Sequence, residues 1–433
     1  MTPVFSLVYN DFYLFPLPGK PRKTEVPYLI FRKDLVMTSL LLIIIYLAFI
    51  SLGLPDALLG SAWPSMYREL GASVSWAGII SMIISAGTII SSFASDWLTR
   101  KAGTGKITAV SVGLTCLALF GFSFSSSFPV LCLWAVPYGL GAGSVDAAIN
   151  NFVALHYPAR HMSWLHCMWG IGASIGPVIM GWTLTGNLGW NGGYLIIAVF
   201  QAILTAFLFL SLPLWKKAPV LGLKAAYADT PTEKRPSVTL PALFARKGIK
   251  EVFLCFFAYN ALEATAGMWA ASYCTLGRGI DSYQAARWAS LFYLGITAGR
   301  FICGFITIKV NDQNMIRLGQ VFIGIGLLFL LLPGGNRLLL PGLIFIGLGC
   351  APIYPSIIHE TPANFGADLS QAIIGIQMAF AYIGCCLMPP FFGLLAEYIS
   401  IRLYPVFMMF LLILMIFMAE LLHTRLKRPS AGS

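Results

Sequence analysis

Charge is what this chain has least of. Only 10% of its 433 residues are Asp, Glu, Lys or Arg, while 58% are hydrophobic; soluble domains carry roughly 25% charged residues. A water-soluble globule is therefore excluded, and a polytopic membrane protein resting in a lipid bilayer is expected. Paired-cysteine motifs are also lacking. Of the nine cysteines, Cys116, Cys132, Cys167, Cys255, Cys303, Cys350, Cys385 and Cys386 lie inside apolar runs and Cys274 near the end of one. No CxxC spacing occurs, so no metal site and no disulfide framework are expected. No cleavable leader is expected either, because the stretch before Leu35 is mixed polar. The net charge of +11 does not indicate nucleic acid, since a polyanion binder gathers its basic residues into one patch. Here they sit in short segments between apolar runs.

Those runs are abundant. A span needs about 20 apolar residues, and twelve candidates fit that length, near 36–60, 74–97, 106–125, 129–154, 162–185, 191–213, 250–274, 284–308, 314–332, 338–358, 370–394 and 402–422. One long polar connection, 215–248, carries prolines at 219, 231, 236 and 241 and resembles a linker. It divides the chain into halves at 36–214 and 249–423, with polar tails at 1–35 and 424–433. The first tail has no apolar periodicity and is assigned no fold; Met37 opens the first span, so a translation start there is an alternative to Met1. Lys and Arg gather in the tails, the second connection and the linker. The positive-inside rule then puts both termini in the cytoplasm, with the spans in the cell (inner) membrane. The expected fold is all-α, twelve transmembrane helices in two pseudo-symmetric six-helix bundles.

The halves repeat. ISAGTIISSFAS (84–95) matches ITAGRFICGFIT (296–307), aligning Gly87 with Gly299. YGLGAGSVD (138–146) matches IGLGCAPIY (346–354), setting Asp146 against Tyr354. DALLG from Asp56 matches EATAG from Glu263, each followed by Trp and Tyr: Trp63 and Tyr67, Trp269 and Tyr273. Parallel repeats with a site between them are a transporter architecture.

A carboxylate on a spanning helix costs roughly 2.5–3.5 kcal/mol on insertion scales and usually faces a protein interior or watery cavity. Asp56 is such a group, preceded by Pro55, which removes a helix hydrogen bond and frees a carbonyl. Desolvation disfavours the charged form of a carboxylate, so such a group can take a proton on one side and release it on the other. Asp146 lies mid-span with Asn150 one turn later on the same face and Asn151 beside it, a set suited to hydroxyl groups. Asn260 and Glu263 share a face of the seventh span, with Trp269 further along, a pairing suited to sugars. Tyr354, Gln377 and, in second rank, His166, Trp169 and Gln371 complete the candidates. For each the alternative use is structural, as an interhelical clamp or, for Trp269, an interfacial anchor. Arg300, in AGRF, either pairs with a carboxylate across the halves or snorkels as part of an inner gate.

The second connection, SSFASDWLTRK (91–101), resembles the loop motif of the major facilitator superfamily. Asp96, Arg100 and Lys101 match; Ser92 and Thr99 replace its glycines. In the second half Gly304 matches and Ile308 replaces the acid. PDALL (55–59) and SVDAAINNFVALH (144–156) are similar to helices of the fucose:proton symporter family. The resemblance implies Asp56 as proton carrier and Asp146 as substrate ligand, with Glu263 where that family often has a sugar-touching glutamine. The family's fucose member has the longer glutamate at Asp146, and Glu263 adds a carboxylate, so a solute other than fucose is expected.

GASIGPVIMG (172–181) approaches the fifth-span motif of drug:proton antiporters, with Met180 in place of one glycine; glycines at this spacing also let helices pack closely. GASIG is not a serine-hydrolase elbow, which needs a strand-to-helix turn, and GTGK (103–106) lacks phosphate-loop spacing. No enzyme is expected. The expected function is proton-coupled import of a sugar or related polyhydroxylated solute by a monomer without cofactor or metal site. Sodium coupling, drug or metabolite efflux and a non-transporting sensor are the alternatives.

Overall fold

The computed structural model describes residues 28–56, 58–72, 76–186, 188–216, 240–280, 282–332 and 335–427. Two compact units are distinguished, residues 1–40 and 41–433. In the first, the described residues are helical, and the helix begins at Tyr28, inside the tail that was assigned no fold. The rest of that tail and most of the expected linker lie outside the described residues.

The second unit contains the bundle. The chain's long helices are α1 (Tyr28–Asp56, followed by Leu58–Glu69), which begins in the first unit, α2 (Ala77–Ala102), α3 (Thr104–Ser123), α4 (Phe128–His156), α5 (Ala159–Thr185), α6 (Gly189–Leu210), α7 (Ile249–Ser272), α8 (Ser282–Ile306), α9 (Asp312–Leu331), α10 (Leu339–Phe365), α11 (Ser370–Leu395) and α12 (Tyr404–Lys427). Each has at least the roughly 20 residues that carry a helix, at 1.5 Å per residue, across a 30 Å hydrocarbon layer. Nine stretches among the described residues are long and apolar enough to cross a membrane, one of which, Ser370–Leu426, holds both α11 and α12. α7 and α8 complete the twelve; within α8, Leu291–Ile306 is a shorter apolar stretch. Lys250, Glu251 and Glu263 dilute α7.

The two halves pack by the same rules. In the first, α4 lies against α2 and α3, and α3 against α6; in the second, α10 lies against α8 and α9, and α9 against α12. Contacts between halves pair off similarly, α2 with α11 and α5 with α8. Small residues set these approaches. A Cβ on Gly139 would fall 2.2 Å from the Ile84 carbonyl oxygen of α2, and one on Gly347 would fall 2.2 Å from the Phe292 oxygen of α8. The repeat seen in sequence is therefore a repeat of backbone contacts.

The glycines of GASIGPVIMG have the same use. A Cβ on Gly172 would lie 2.1 Å from Ile50 O, one on Gly176 2.0 Å from Leu54 O, and one on Gly53 of α1 2.1 Å from Trp169 O. α1 and α5 are in backbone contact along this stretch. Gly181, further along α5, has nothing within 4 Å of a built Cβ. Gly176→Ala forces the helices apart and is expected to cost about 1–3 kcal/mol, lowering the thermal unfolding midpoint in detergent, whereas Gly181→Ala leaves it unmoved. Equal midpoints for the two variants would refute the close approach.

Candidate functional site

The α1–α5 contact places Pro55 and Asp56 at the edge of a cavity of about 220 Å³. Pro55 has no N–H, so the Ser51 carbonyl four residues earlier loses its helical donor. Gln201 of α6 supplies a replacement, donating from Nε2 to Ser51 O at 2.8 Å, while its own Oε1 accepts from Thr115 Oγ1 at 2.9 Å. The freed carbonyl is thus covered rather than open to the cavity.

Asp56 faces the cavity and keeps accessible surface there. Its Oδ2 accepts the indole N–H of Trp169 at 2.7 Å and its Oδ1 the Tyr138 hydroxyl at 3.4 Å. Asp146 looks into the same space from α4. Its Oδ1 accepts from Asn150 Nδ2 at 2.8 Å and its Oδ2 from the Tyr382 hydroxyl, across the halves, at 3.5 Å. Both carboxylates are held by neutral donors.

Asn150 extends this set inward. Its Nδ2 also donates to the Asp146 backbone oxygen at 2.9 Å, an obligatory acceptor, so the amide cannot be reversed. Its Oδ1 then accepts from His166, whose Nε2 stands 3.0 Å away. The hydrogen bond therefore puts a proton on Nε2. His166 is buried between Phe49 and Tyr354, ring centroids 5.4 and 4.5 Å away.

The opposite wall is different. Glu263 of α7 accepts from Tyr259, which sits one turn before it, and its Oε2 lies 3.5 Å from Arg300 Nη2. Arg300 is 3% exposed and packs over the Trp169 ring at 5.7 Å, a cation–π distance. Trp169 thus serves both walls, its N–H toward Asp56 and its face toward Arg300.

Of the sequence candidates, the cavity brings together Asp56, Asp146, His166, Trp169, Asn260, Glu263, Tyr354 and Arg300; Asn150 meets it through Asp146. Arg300, grouped with the gating loop in the sequence, lines the cavity and pairs within its own half. Others lie elsewhere. Trp269 donates to Pro389 O at 2.9 Å and packs on Phe392. Asn151 accepts from Ser370 across the halves, and Gln377 accepts from Thr361 at 3.2 Å. Gln371 is buried near the start of α11, its two amide atoms without partners among the described residues. Asp96 and Arg100 pair one turn apart on α2, and Lys101 lies over Trp97 at 5.1 Å. Tyr138, Tyr382, Gln201 and Thr115 also line the cavity and were not singled out. Gln201, an amide within a highly apolar span, was open to the same test as Gln377; the tyrosines carried no signal.

A sequence profile described as Major Facilitator Superfamily matches residues 45–359 and 252–433. The cis,cis-muconate transport protein of Acinetobacter baylyi is 22% identical over 385 residues, which are 83% of this chain and 87% of that protein. The E. coli fucose:proton symporter superposes with a TM-score of 0.70 at 16% identity, covering 89% of this chain and 99% of that one. A proton:xylose symporter bound to 6-bromo-6-deoxy-D-glucose also reaches 0.70, at 13% identity, over 87% and 94% of the two chains. At these identities the structural likeness is one of fold.

The His166 contact has a measurable consequence. His166→Leu leaves the buried Asn150 oxygen without a donor, a loss of about 1–3 kcal/mol, and is expected to lower the thermal midpoint. His166→Gln, whose amide nitrogen can reach the place of Nε2, recovers most of it. Equal losses in the two variants would argue against the assigned bond.

Proposed function

The chain belongs to the Major Facilitator Superfamily, a multi-pass membrane transporter fold, and we propose that it imports a sugar or related polyhydroxylated solute together with protons. The observation that carries this reading is the pair Asp56 and Asp146. Two carboxylates from different helices face one small cavity, each held by N–H or O–H donors, and no Lys or Arg among the described residues forms an ion pair with either. A carboxylate so placed favours taking a proton when water leaves and losing it when water returns.

In the proposed cycle Asp56 is the proton carrier. The solute lies against Asp146, with Asn150 behind it, and against Asn260, Glu263 and the faces of Trp169 and Tyr354. The halves then rock, with the Asp96 and Arg100 pair on α2 acting on that equilibrium. Trp269, Asn151 and Gln377, which have partners outside the cavity, take no part in binding here. Protons are favoured over sodium because the carbonyl freed by Pro55 is already bonded to Gln201, leaving N–H and O–H donors where a sodium site would offer oxygens. Cytoplasmic termini remain part of the proposal, on the distribution of Lys and Arg. Efflux of drug-sized solutes is disfavoured by volume. At about 220 Å³ the cavity falls below the roughly 300–1,000 Å³ typical of drug-sized ligands, and the antiporter-like glycines are accounted for by the α1–α5 approach.

Two measurements test this. Adding the transported solute to de-energised cells should alkalinise the medium, whereas efflux by antiport would not. In proteoliposomes Asp56→Asn should abolish accumulation driven by a proton gradient and retain exchange of solute across the membrane. Normal accumulation by that variant would remove Asp56 from the coupling role. Asp96→Asn is expected to change the transport rate at saturating solute while binding affinity stays within about twofold.

A further inference from the structure

The cavity holds one cation that the sugar reading does not require. Arg300 is the only Lys or Arg among the described residues lining it, and it is 3% exposed. A buried arginine that merely neutralised Glu263 would be expected to do so through two parallel, short hydrogen bonds, the geometry that repays its desolvation. It does not. Its Nη2 approaches Glu263 Oε2 at 3.5 Å, and that same Oε2 already accepts from Tyr259. Its Nε has no hydrogen-bond partner among the described residues. The guanidinium carbon instead stands 5.7 Å from the Trp169 ring centroid, a cation–π contact that uses none of its N–H groups.

Arg300 lines the cavity, its contact with Glu263 is long and its Nε is unpartnered among the described residues; a planar guanidinium so placed is suited to taking a carboxylate. Opposite it are groups suited to hydroxyls: the Asp146 and Asn150 pair and Asp56 with its Tyr138 and Trp169 donors. We propose that the solute is a sugar acid, a polyhydroxylated monocarboxylate whose carboxylate is taken by Arg300 and whose hydroxyls are taken by the Asp146 wall. This rests on the reading of the site as a sugar cavity and narrows it. Glu263 is then the group that holds Arg300 in the empty site and yields it to the solute, two carboxylates competing for one guanidinium. Charge makes the acid and the proton interdependent. With Asp56 and Asp146 ionised, an entering carboxylate meets two like charges facing the same space; protonated, both become donors to its hydroxyls.

The test uses D-galacturonate and D-galactose, which differ only in the carboxylate, with binding to the purified full-length chain followed by equilibrium dialysis and folding checked by thermal midpoint. The wild type is expected to bind galacturonate at least tenfold more tightly. Arg300→Met should cut the galacturonate-to-galactose affinity ratio at least tenfold, and Arg300→Lys, which keeps the charge without the fork, should fall between. Should Arg300→Met fail to fold, Glu263→Gln gives the converse reading, raising the ratio by freeing the guanidinium. Galactose bound as well as galacturonate, or a ratio unmoved by these variants, would overturn the sugar-acid assignment and leave the sugar reading standing. Binding of neither by folded wild type, with cis,cis-muconate bound instead, would overturn both.

Discussion

The site depends on how closely α1 and α5 can approach. Gly53, Gly172 and Gly176 bring the two backbones to within the reach of a missing Cβ, and only at that separation does the Trp169 indole extend from α5 to Asp56 at 2.7 Å. The proline before Asp56 is tolerated for a related reason. Its orphaned carbonyl lies close enough to α6 for the Gln201 amide to replace the missing donor, so the helix can carry a break at cavity level without leaving an unsatisfied backbone group in an apolar surround. Close packing, the proline and the cavity-facing acid are one arrangement.

The repeat explains what the halves share, and its departures explain what they do differently. Asp56 and Glu263 occupy matching places on α1 and α7, as do Asp146 and Tyr354 on α4 and α10, and all four line the cavity. Thr88 and Arg300 also match. In the first half the place is filled by a hydroxyl that bonds its own helix at Ile84 O, and in the second by a guanidinium that reaches Glu263. One acid therefore stands beside neutral donors and its counterpart beside a cation. One wall of the cavity therefore presents carboxylates among neutral donors, and the other a carboxylate beside a guanidinium.

The fold was legible because bilayer thickness leaves a strong mark on a sequence, and twelve runs of the right length became twelve long helices. The acids were legible for the same reason, since a carboxylate within such a run is rare and costly. What sequence could not supply was the rotation of each helix toward its neighbours. Trp269 shares a helix with Glu263 and follows it as Trp63 follows Asp56, yet it points to Pro389 and Phe392, and the indole in the cavity is Trp169. Arg300 was placed near the gate by its distance from a span end, a measure blind to the fact that α8 faces α5. Tyr138 and Tyr382 left no sign at all, because a tyrosine in a span is equally at home in packing, at an interface or in a site.

Asn150 and Asn151 carry the argument from the cavity to the motion. They are successive residues of α4, some 100° apart around the helix axis, so they cannot serve the same face. Asn150 completes the chain from Asp146 to His166, whereas Asn151 accepts from Ser370 of α11 in the other half. Toward that same end of the bundle, Trp164 of α5 donates to Phe301 O of α8 at 3.3 Å, and Gly375 of α11 abuts Ser92 and Ser95 of α2. α5 also carries His166, one turn from Trp169. α4 and α5, which hold Asp146, the indole and the imidazole, are thus also among the helices that join the halves. Because packed helices shift as units between discrete arrangements, the rocking of the proposed cycle would displace α4 and α5 relative to α8 and α11, and with them Asp146 relative to Tyr382 and Trp169 relative to Arg300.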